Sequence, residues 1–433
     1  MVEEVEARVA VAAGAPARMI TEFSSAPVAL KDAEGQEESR VPTGLSEFDR
    51  LLGGGVVPGQ VCLLAGPPGI GKSTLMLQVA GRLAERGKVL YVSGEESLKQ
   101  VSARAKRLGI SSDDIYLLSE NSVAKLLSTV AELKPWAVVL DSVQTAFHPE
   151  LASSPGSVAQ VREVASEMLR LAKNTDTVVF VLGHVTKDGG LAGPKVLEHI
   201  VDTVLYFDTE RHDLLRVLRA QKNRFGPTDE VGLFEMGEKG LRELADASQF
   251  FLGNRSGRPQ AGQAFSVTLE GSRPMLVEVQ SLVVYTKYPL PRRMATGLDL
   301  NRVLVLLAAM EKHLRLRFEE RDVFVSLAGG VRLKDPALDL AACAAVASSL
   351  RDLPLPADCV MVGEVGLLGE VSRAPFLEQR LKEAAKAGFK RAIVAKRALK
   401  DLPRGLGLEL AGAADLPEAA DLLFGKTQTD HHS

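Results

Sequence analysis

A glycine-rich stretch stands between a short apolar run and a run of helix-forming residues. The stretch is Gly66-Pro67-Pro68-Gly69-Ile70-Gly71-Lys72-Ser73, which satisfies the pattern GxxxxGK[ST] and is followed by Thr74 and the rest of the helical run. Glycines let the backbone curl so that its N–H groups face a polyphosphate, and the dipole of the following helix adds to the attraction. We therefore predict an ATP-binding loop, with Lys72 at the β- and γ-phosphates and the Ser73 hydroxyl on Mg²⁺.

Short apolar runs alternate with helical stretches on both sides of this loop. They are Val61–Ala65, Val89–Val92, Ala137–Leu140, Val178–Leu182 and Thr203–Phe207. This alternation is typical of a parallel sheet whose two faces are covered by helices. Two further runs, Leu214–Ala220 and Glu230–Met236, follow without long helices between them, which predicts a mixed or antiparallel edge.

Three polar side chains come directly after predicted strands. Asp141 follows the run from Ala137 and is expected on the Mg²⁺ side, although a turn or capping role is the alternative. Glu95, preferred over the adjacent Glu96, is predicted to orient the attacking water, and first-turn helix acidity is the alternative for this pair. His184 is expected to sense the γ-phosphate and pass its state to the loop that follows, unless it is a plain hydrogen-bonding residue.

The rest of the chain predicts a second α/β unit. A turn-rich stretch, Gly253–Pro259, separates it from the first. Strands are expected near 264–270, 275–285, 323–328, 359–363 and 391–395, and helices near 301–314, 336–351 and 376–387. We assign a loosely ordered leader to 1–38, the two units to 39–255 and 256–425, and a frayed tail to 426–433.

Composition excludes several protein classes. A chain of 433 residues with 46% hydrophobic and 25% charged residues is typical of two globular domains. The acidic start and the lack of a long apolar run indicate a soluble, non-exported, cytoplasmic protein without membrane partners. Three scattered cysteines, Cys62, Cys343 and Cys359, offer neither a disulfide framework nor a cysteine-rich zinc site, which fits a reducing compartment. A net charge of −3 gives no overall attraction to nucleic acid, so a DNA site has to be local.

Several sequence blocks together resemble one family of bacterial proteins. The blocks are Arg40–Arg50 with Gly53-Gly54-Gly55, the phosphate loop, Tyr91–Ser97, Gly183–Lys187, and Lys222-Asn223-Arg224-Phe225-Gly226, the most specific of them. From about residue 40 to about 425 the chain resembles the RadA (Sms) family of DNA-repair ATPases. The resemblance implies a RecA-like P-loop ATPase core with a mostly parallel central sheet, followed by a smaller α/β domain similar to that of Lon protease.

The resemblance also implies a function. The chain is expected to be a DNA-dependent ATPase of homologous recombination, which translocates on single-stranded DNA and promotes branch migration beside the RecA recombinase. We therefore expect single-stranded and branched DNA as partners and a homo-hexameric ring. Lys222 and Arg224, on one face of a strand, are expected to reach the γ-phosphate of the neighbouring subunit.

Two departures from the family pattern concern metal binding and proteolysis. The family's four-cysteine zinc finger has no counterpart before Cys62, so no zinc site is expected. Ala337 and Glu378 stand where the Lon nucleophile and the dyad lysine are expected, and neither can perform those roles. The Lon-like domain is therefore predicted to be proteolytically inactive, with Ser348, Ser349 and Lys382 in packing or solvated positions.

DNA contacts are expected in the second unit and near His184. Between residues 290 and 334, nine basic residues stand against five acidic ones. A surface that tracks phosphates is one interpretation and a solvated helix face is the other. The candidates are Lys187, Lys222, Arg224, Arg292, Arg293 and Arg315.

Two rival functions remain open at this point. One is an ATP-dependent peptidase of the Lon type, against which the absent nucleophile argues. The other is a nucleotide-switched assembly scaffold of the KaiC type, which would hydrolyse ATP slowly and ignore DNA. The segment Lys222–Gly226 favours the DNA-dependent enzyme.

Overall fold

The chain folds into two α/β units, each built on one large β-sheet. The computed structural model describes residues 39–184, 196–209, 215–244, 258–328 and 333–425. The predicted leader, the predicted tail and the boundary placed at residue 255 lie outside these residues. Within the described ranges, none of the helices combines the length and the hydropathy needed to cross a membrane.

The first unit is a nine-stranded sheet flanked by helices. Its strands are β1 (Val61–Gly66), β2 (Val89–Ser93), β3 (Ile115–Ser119), β4 (Ala137–Asp141), β5 (Val178–His184), β6 (Thr203–Thr209), β7 (Leu215–Asn223), β8 (Val231–Gly237) and β9 (Gly240–Glu243). Its helices are α1 (Ser46–Leu51), α2 (Lys72–Leu83), α3 (Leu98–Arg107), α4 (Val123–Leu133) and α5 (Val158–Thr175). The order across the sheet is β3-β2-β4-β5-β1-β6-β7-β8-β9.

The six strands from β3 to β6 in this order are parallel, whereas β6 to β9 pair antiparallel. Every residue of β1, β2 and β4 is buried, because apolar cores lie against both faces of the sheet. Strands covered on both faces read as continuous apolar runs, which is why the sequence predicted them. Their carboxyl ends meet at one edge, where the polar residues that follow β1, β2, β4 and β5 are brought together.

The second unit is a seven-stranded mixed sheet. Its strands are β10 (Gln263–Glu270), β11 (Arg273–Tyr285), β12 (Arg293–Thr296), β13 (Arg321–Leu327), β14 (Cys359–Val362), β17 (Arg391–Ala395) and β18 (Glu409–Ala413), and β15 (Glu364–Val365) and β16 (Val371–Ser372) form a small separate ladder. Its helices are α6 (Leu300–Leu314), α7 (Asp339–Arg351), α8 (Leu377–Lys386) and α9 (Leu416–Phe424). The order across the sheet is β12-β13-β11-β10-β14-β17-β18.

The predicted fold class is confirmed, and the differences concern short elements and one helix start. The sequence did not predict the strands β3, β9, β12, β15, β16 and β18 or the helix α9. β3, β9, β12 and β18 are edge strands of four or five residues, and only Gly240, Leu241 and Ala413 in them are buried, so none gives a long apolar run. The helix expected from 336 begins with a 3₁₀ turn, Pro336–Leu338, before α7 starts at Asp339.

The turn between β10 and β11 joins the two units. Arg273 from this turn forms an ion pair with Glu47 of α1, and both side chains are more than nine-tenths buried. The backbone N–H of Ser272 donates to the carbonyl of Asp229 at 2.7 Å, and Arg219 of β7 pairs with Glu270. The second unit is therefore held to α1 and to the antiparallel strands of the first.

Candidate nucleotide site

The phosphate loop begins at Gly66, the last residue of β1, and includes Lys72 and Ser73, the first two residues of α2. Gly71, the residue before the helix, has φ of 115°, a conformation that side chains with a Cβ rarely adopt. A Cβ there would also lie 2.7 Å from Cε of Met236. Space around Gly69 is open, since no atom lies within 4 Å of the position of its missing Cβ. The loop therefore has a packed side toward the protein and an open side where a phosphate can lie.

Lys72 is buried inside its own loop. Its Nζ donates to the carbonyls of Gly66 at 2.8 Å and Pro67 at 2.9 Å, and the residue is only 4% exposed. Burial lowers the pKa of Lys72 to about 8, although the negative charges of Asp141 and Glu95 act in the opposite direction. A polyphosphate placed beside this ammonium would strengthen its charged form.

Asp141 stands at the end of β4, beside the phosphate loop. Its carboxylate accepts a hydrogen bond from the Tyr91 hydroxyl at 2.8 Å and is 6% exposed. Burial raises the pKa of Asp141, while hydrogen bonds from Ser73 and Tyr91 favour its charged form. A carboxylate and a hydroxyl oxygen in contact are hard ligands of the kind that Mg²⁺ takes. These residues fit the metal that the sequence predicted, with Ser73 and Asp141 as its candidate ligands.

The two adjacent glutamates that follow β2 have different surroundings. Glu95 Oε1 lies 2.5 Å from Ser142 Oγ and 3.1 Å from His184 Nε2. Glu96 instead forms an ion pair with Arg104 of α3. The structure therefore brings Glu95 into the cluster around Lys72 and pairs Glu96 with the neighbouring helix.

His184, the last residue of β5, connects Lys72 with Glu95. Its Nδ1 lies 3.2 Å from Lys72 Nζ, and its backbone carbonyl accepts a hydrogen bond from Gln144 Nε2 at 3.2 Å. Sequence reasoning missed both Ser142 and Gln144. Their position directly after β4, at the edge where the phosphate loop lies, is the signal that could have identified them.

Lys222 and Arg224 lie at the opposite edge of the sheet. Asn223 pairs with Thr203, and Thr203 pairs with Cys62 near the start of β1. The phosphate loop begins at Gly66, four residues further along β1 than Cys62, which corresponds to about 13 Å of extended strand. The sequence predicted these cations within a strand, whereas β7 ends at Asn223 and Arg224 lies just beyond it.

Both cations contact the segment that leads into β6. Lys222 Nζ donates to the carbonyls of Glu198 at 2.6 Å and Val201 at 2.8 Å. Burial, with the nearby positive charge of Arg224, lowers the pKa of Lys222. Arg224 is more than half exposed and contacts Asp202, which also accepts from Lys173.

The remainder of this segment packs on the end of α1. Asn223 Nδ2 donates to the Leu51 carbonyl at 3.1 Å, and Arg40 donates to the Phe225 carbonyl. Gly226 lies so close to Gly53 that a Cβ on it would be 3.0 Å from Gly53 Cα. Gly226 and Gly53 therefore allow the backbones of their two segments to pack closely against each other.

The other candidates for DNA contact differ in their freedom to bind. Arg292 donates from Nε and Nη2 to Oδ2 of Asp322, and Arg293 donates to the carbonyls of Phe318 and Arg321. Arg315, which ends α6 in a left-handed conformation, is exposed and has no partner among the described residues. Lys187 lies outside the described residues.

The position expected for a protease nucleophile is closed. Ala337 is 1% exposed, and its backbone N–H donates to Asp335. Asp335 in turn forms an ion pair with Arg380 of α8, whose side chain is 3% exposed. Glu378 pairs with Lys382 on the surface of α8, while the hydroxyls of Ser348 and Ser349 accept from backbone N–H groups.

Two family models each match a part of this chain. Residues 25–190 match the AAA domain family, and residues 304–411 match the Lon protease (S16) C-terminal proteolytic domain. A solved structure of a KaiC-like protein from the archaeon Pyrococcus horikoshii aligns with a TM-score of 0.41 and 22% identity, covering 48% of this chain and 99% of that one.

Curated relatives match over nearly the whole chain. DNA repair protein RadA of Bacillus subtilis is 49% identical over 92% of this chain and 87% of its own length. The proteins of the same name from Halalkalibacterium halodurans and Streptococcus pneumoniae are 46% and 45% identical, over 92% and 94% of this chain and 88% and 96% of their own. Identity at this level over nearly the full length shows a DNA repair ATPase with an ATP-binding domain and a Lon-like domain. The chain belongs to the RadA family of DNA repair proteins.

Proposed function

We propose that this chain is a DNA-stimulated ATPase that translocates on single-stranded DNA and promotes branch migration during homologous recombination, beside a RecA-type recombinase. ATP and Mg²⁺ bind at the boundary between two copies in a hexameric ring. Hydrolysis then changes the hold of the ring on the DNA backbone.

The observation that carries this proposal is the separation of the two charged clusters. The cluster around Lys72 lies at the carboxyl edge of the parallel strands, whereas Lys222 and Arg224 lie at the other edge, about 13 Å away along the strand. Cations at that edge are too far from the nucleotide of their own chain. In a ring with head-to-tail contacts they can face the nucleotide of the next copy.

Each residue has a role that its surroundings support. Lys72 neutralises the β- and γ-phosphates, and Ser73 and Asp141 hold Mg²⁺ through their oxygen atoms. Glu95 orients the attacking water, and His184 responds to the γ-phosphate. Arg224 and Lys222 of the neighbouring copy compensate the charge that develops on the transferred phosphoryl group.

We assign DNA binding to basic side chains whose N–H donors are not already bonded to other described residues. Arg315 fits this description best, whereas Arg292 and Arg293 already donate to groups within the chain. Lys187 stays a candidate from the sequence. Contacts between cations and phosphates weaken as salt rises, because counterions are released on binding. DNA stimulation of the ATPase is therefore expected to fall with ionic strength.

An ATPase titration with single-stranded DNA at two salt concentrations tests the function. We expect DNA to raise turnover, with a higher DNA concentration needed for half-stimulation at the higher salt. A slow ATPase that does not respond to DNA at either salt would contradict the proposal and favour a KaiC-like scaffold.

Arg224→Ala tests the role of the neighbouring copy. Among the described residues the Arg224 side chain, which is more than half exposed, contacts only Asp202, and Asp202 keeps Lys173 when Arg224 is removed, so we expect the fold to stay intact. We expect unchanged nucleotide binding and at least a tenfold loss of DNA-stimulated turnover. Arg242→Ala, which removes another exposed ion-paired arginine on β9, is the matched control and should keep full activity. Equal activity of the two variants would overturn the role of Arg224.

A further inference from the structure

His184 lies between the ammonium of Lys72 and the carboxylate of Glu95. Its two ring nitrogens face different partners, with Nδ1 at 3.2 Å from Lys72 Nζ and Nε2 at 3.1 Å from Glu95 Oε1. The three side chains come from three segments, the phosphate loop, the residues after β2 and the end of β5. A side chain that contacts both a phosphate-binding group and the group expected to activate water can link their positions.

The partners determine which ring nitrogen carries the proton. An ammonium group only donates hydrogen bonds, so Nδ1 has to accept from Lys72. A neutral imidazole with an accepting Nδ1 carries its hydrogen on Nε2, which therefore donates to Glu95. Lys72 thus selects the tautomer that gives Glu95 a donor before any nucleotide arrives.

The hydrogen bonds to Glu95 leave one of its oxygens free. Ser142 Oγ and His184 Nε2 both contact Oε1, at 2.5 Å and 3.1 Å. No donor to Oε2 is present among the described residues, and the side chain is 41% exposed. Two donors on one oxygen fix the plane of the carboxylate, so that Oε2 stands as the acceptor for a water molecule.

We propose that His184 is a positioning residue, which together with Ser142 holds Glu95 Oε1 so that Oε2 receives the proton of the attacking water. This inference rests on the proposed ATPase function and assigns the specific contact through which His184 acts. As the oxygen of the water bonds to the γ-phosphorus, the water's proton passes to Oε2. The bond from the γ-phosphorus to the bridging oxygen breaks, and its electron pair leaves with ADP.

Two substitutions of His184 separate its two contacts. The amide nitrogen of glutamine can reach the position of Nε2, so His184→Gln keeps a donor for Glu95. The shorter asparagine reaches only the position of Nδ1, so His184→Asn keeps a polar group toward Lys72 and removes the donor to Glu95. Both are neutral amides, so they form a matched pair for a partly exposed position.

The measurement compares turnover with nucleotide affinity for the two variants, in the full-length protein with saturating DNA. We expect His184→Asn to lower kcat about 100-fold, the lower range for a positioned base, with nucleotide Kd changed less than about threefold. His184→Gln should lose no more than about fivefold in kcat. Equal losses in the two variants, or a larger loss with glutamine, would show that the contact with Glu95 is not what His184 supplies.

A double substitution gives an independent test. If His184 and Ser142 act on the same oxygen, the loss of kcat in the double variant His184→Asn/Ser142→Ala should be clearly smaller than the product of the two single losses. Independent, multiplicative losses would contradict the shared role. Lys72→Ala distinguishes a failure of the positioning role from a failure of the proposed ATPase function. Full ATPase activity of Lys72→Ala would overturn the proposed site. If Lys72→Ala is inactive but the two His184 variants are indistinguishable, only the positioning role is overturned.

Discussion

The charged side chains at the nucleotide site of the first sheet and at the protease position of the second have opposite surroundings. The carboxyl edge of the first sheet brings four side chains to an open loop: Lys72, Asp141, Glu95 and His184. Burial lowers the pKa of Lys72 and raises that of Asp141, so it favours the neutral form of each. At the corresponding protease position of the second, Ala337 is buried and the nearby charges, Asp335 and Arg380, are paired with each other.

This contrast distinguishes charges that are available to a ligand from charges that are satisfied within the chain. A buried charge that is paired within the chain has its solvation replaced by its partner and offers nothing to a ligand. Charges that hold only backbone carbonyls or weak polar contacts, as Lys72 does, can exchange those contacts for a phosphate. In the second unit, which matches the Lon C-terminal domain, the charges of Asp335 and Arg380 are satisfied by each other.

The largest expected effect that tests this comparison is the loss of kcat when Glu95 is substituted. Glu95→Gln should lower kcat about 1,000-fold, because an amide cannot take the proton of the attacking water. Glu96→Gln is the matched control, and it should change kcat by less than about threefold, since Glu96 pairs with Arg104 away from Lys72. Steady-state ATPase assays at saturating ATP measure both. Comparable losses in the two variants would mean that the wrong glutamate has been assigned.

The ion pair between the two units is expected to matter for stability. Glu47→Ala removes the acceptor of the buried Leu233 N–H and the carboxylate that Arg273 contacts. We expect a loss of about 3 kcal/mol in the free energy of unfolding. Denaturant unfolding measures it, with Glu85→Ala, from an exposed surface pair, as the control that should change stability by less than about 0.5 kcal/mol. A loss below 1 kcal/mol for Glu47→Ala would contradict the importance of this contact.

The pKa of Lys72 predicts how ATP binding depends on pH. Burial lowers this pKa to about 8, and a bound polyphosphate raises it, so above pH 8 binding takes up a proton. The affinity for ATP should then fall by up to about tenfold per pH unit between pH 8 and 10. Calorimetry in buffers of different ionisation enthalpy measures the proton uptake. In Lys72→Arg the cation stays charged, so any remaining uptake of the same size would show that another group is responsible.

The smallest effect is expected at the closed protease position. Ala337→Ser restores a hydroxyl, but Ala337 is buried and Glu378 cannot act as the activating amine. We expect no peptide cleavage and a destabilisation of about 1 kcal/mol. Casein digestion with and without ATP checks the first point, and cleavage would revive the peptidase alternative.

The sequence predicted the parts of this fold that depend on local patterns. The phosphate loop and the buried parallel strands were identifiable because a glycine motif and continuous apolar runs define them. Short edge elements such as β12 were not, since four residues with an arginine and a threonine resemble a loop.

The candidate site was predicted residue by residue but not as a network. The sequence preferred Glu95 over Glu96, but the contacts that distinguish them, Glu95 with Ser142 and His184 and Glu96 with Arg104, appear only in the fold. The contact of Ser142 with Glu95 and the pairing of Glu47 with Arg273, 226 residues apart, depend on how strands pack and have no local signal. Lys222 and Arg224 were predicted as a pair, and their place at the far edge of the sheet became evident only from strand register.

Mixing two inactive variants tests most directly whether each ATP site is built by two copies of the chain. Lys72→Ala lacks the phosphate-binding amine, and Arg224→Ala lacks the cation offered to a neighbour. Co-assembled in equal amounts, they should recover about a quarter of wild-type DNA-stimulated turnover, because one pairing in four joins an intact loop to an intact Arg224. If the mixture stays as inactive as its components although the two chains are shown to co-assemble, the shared site is contradicted.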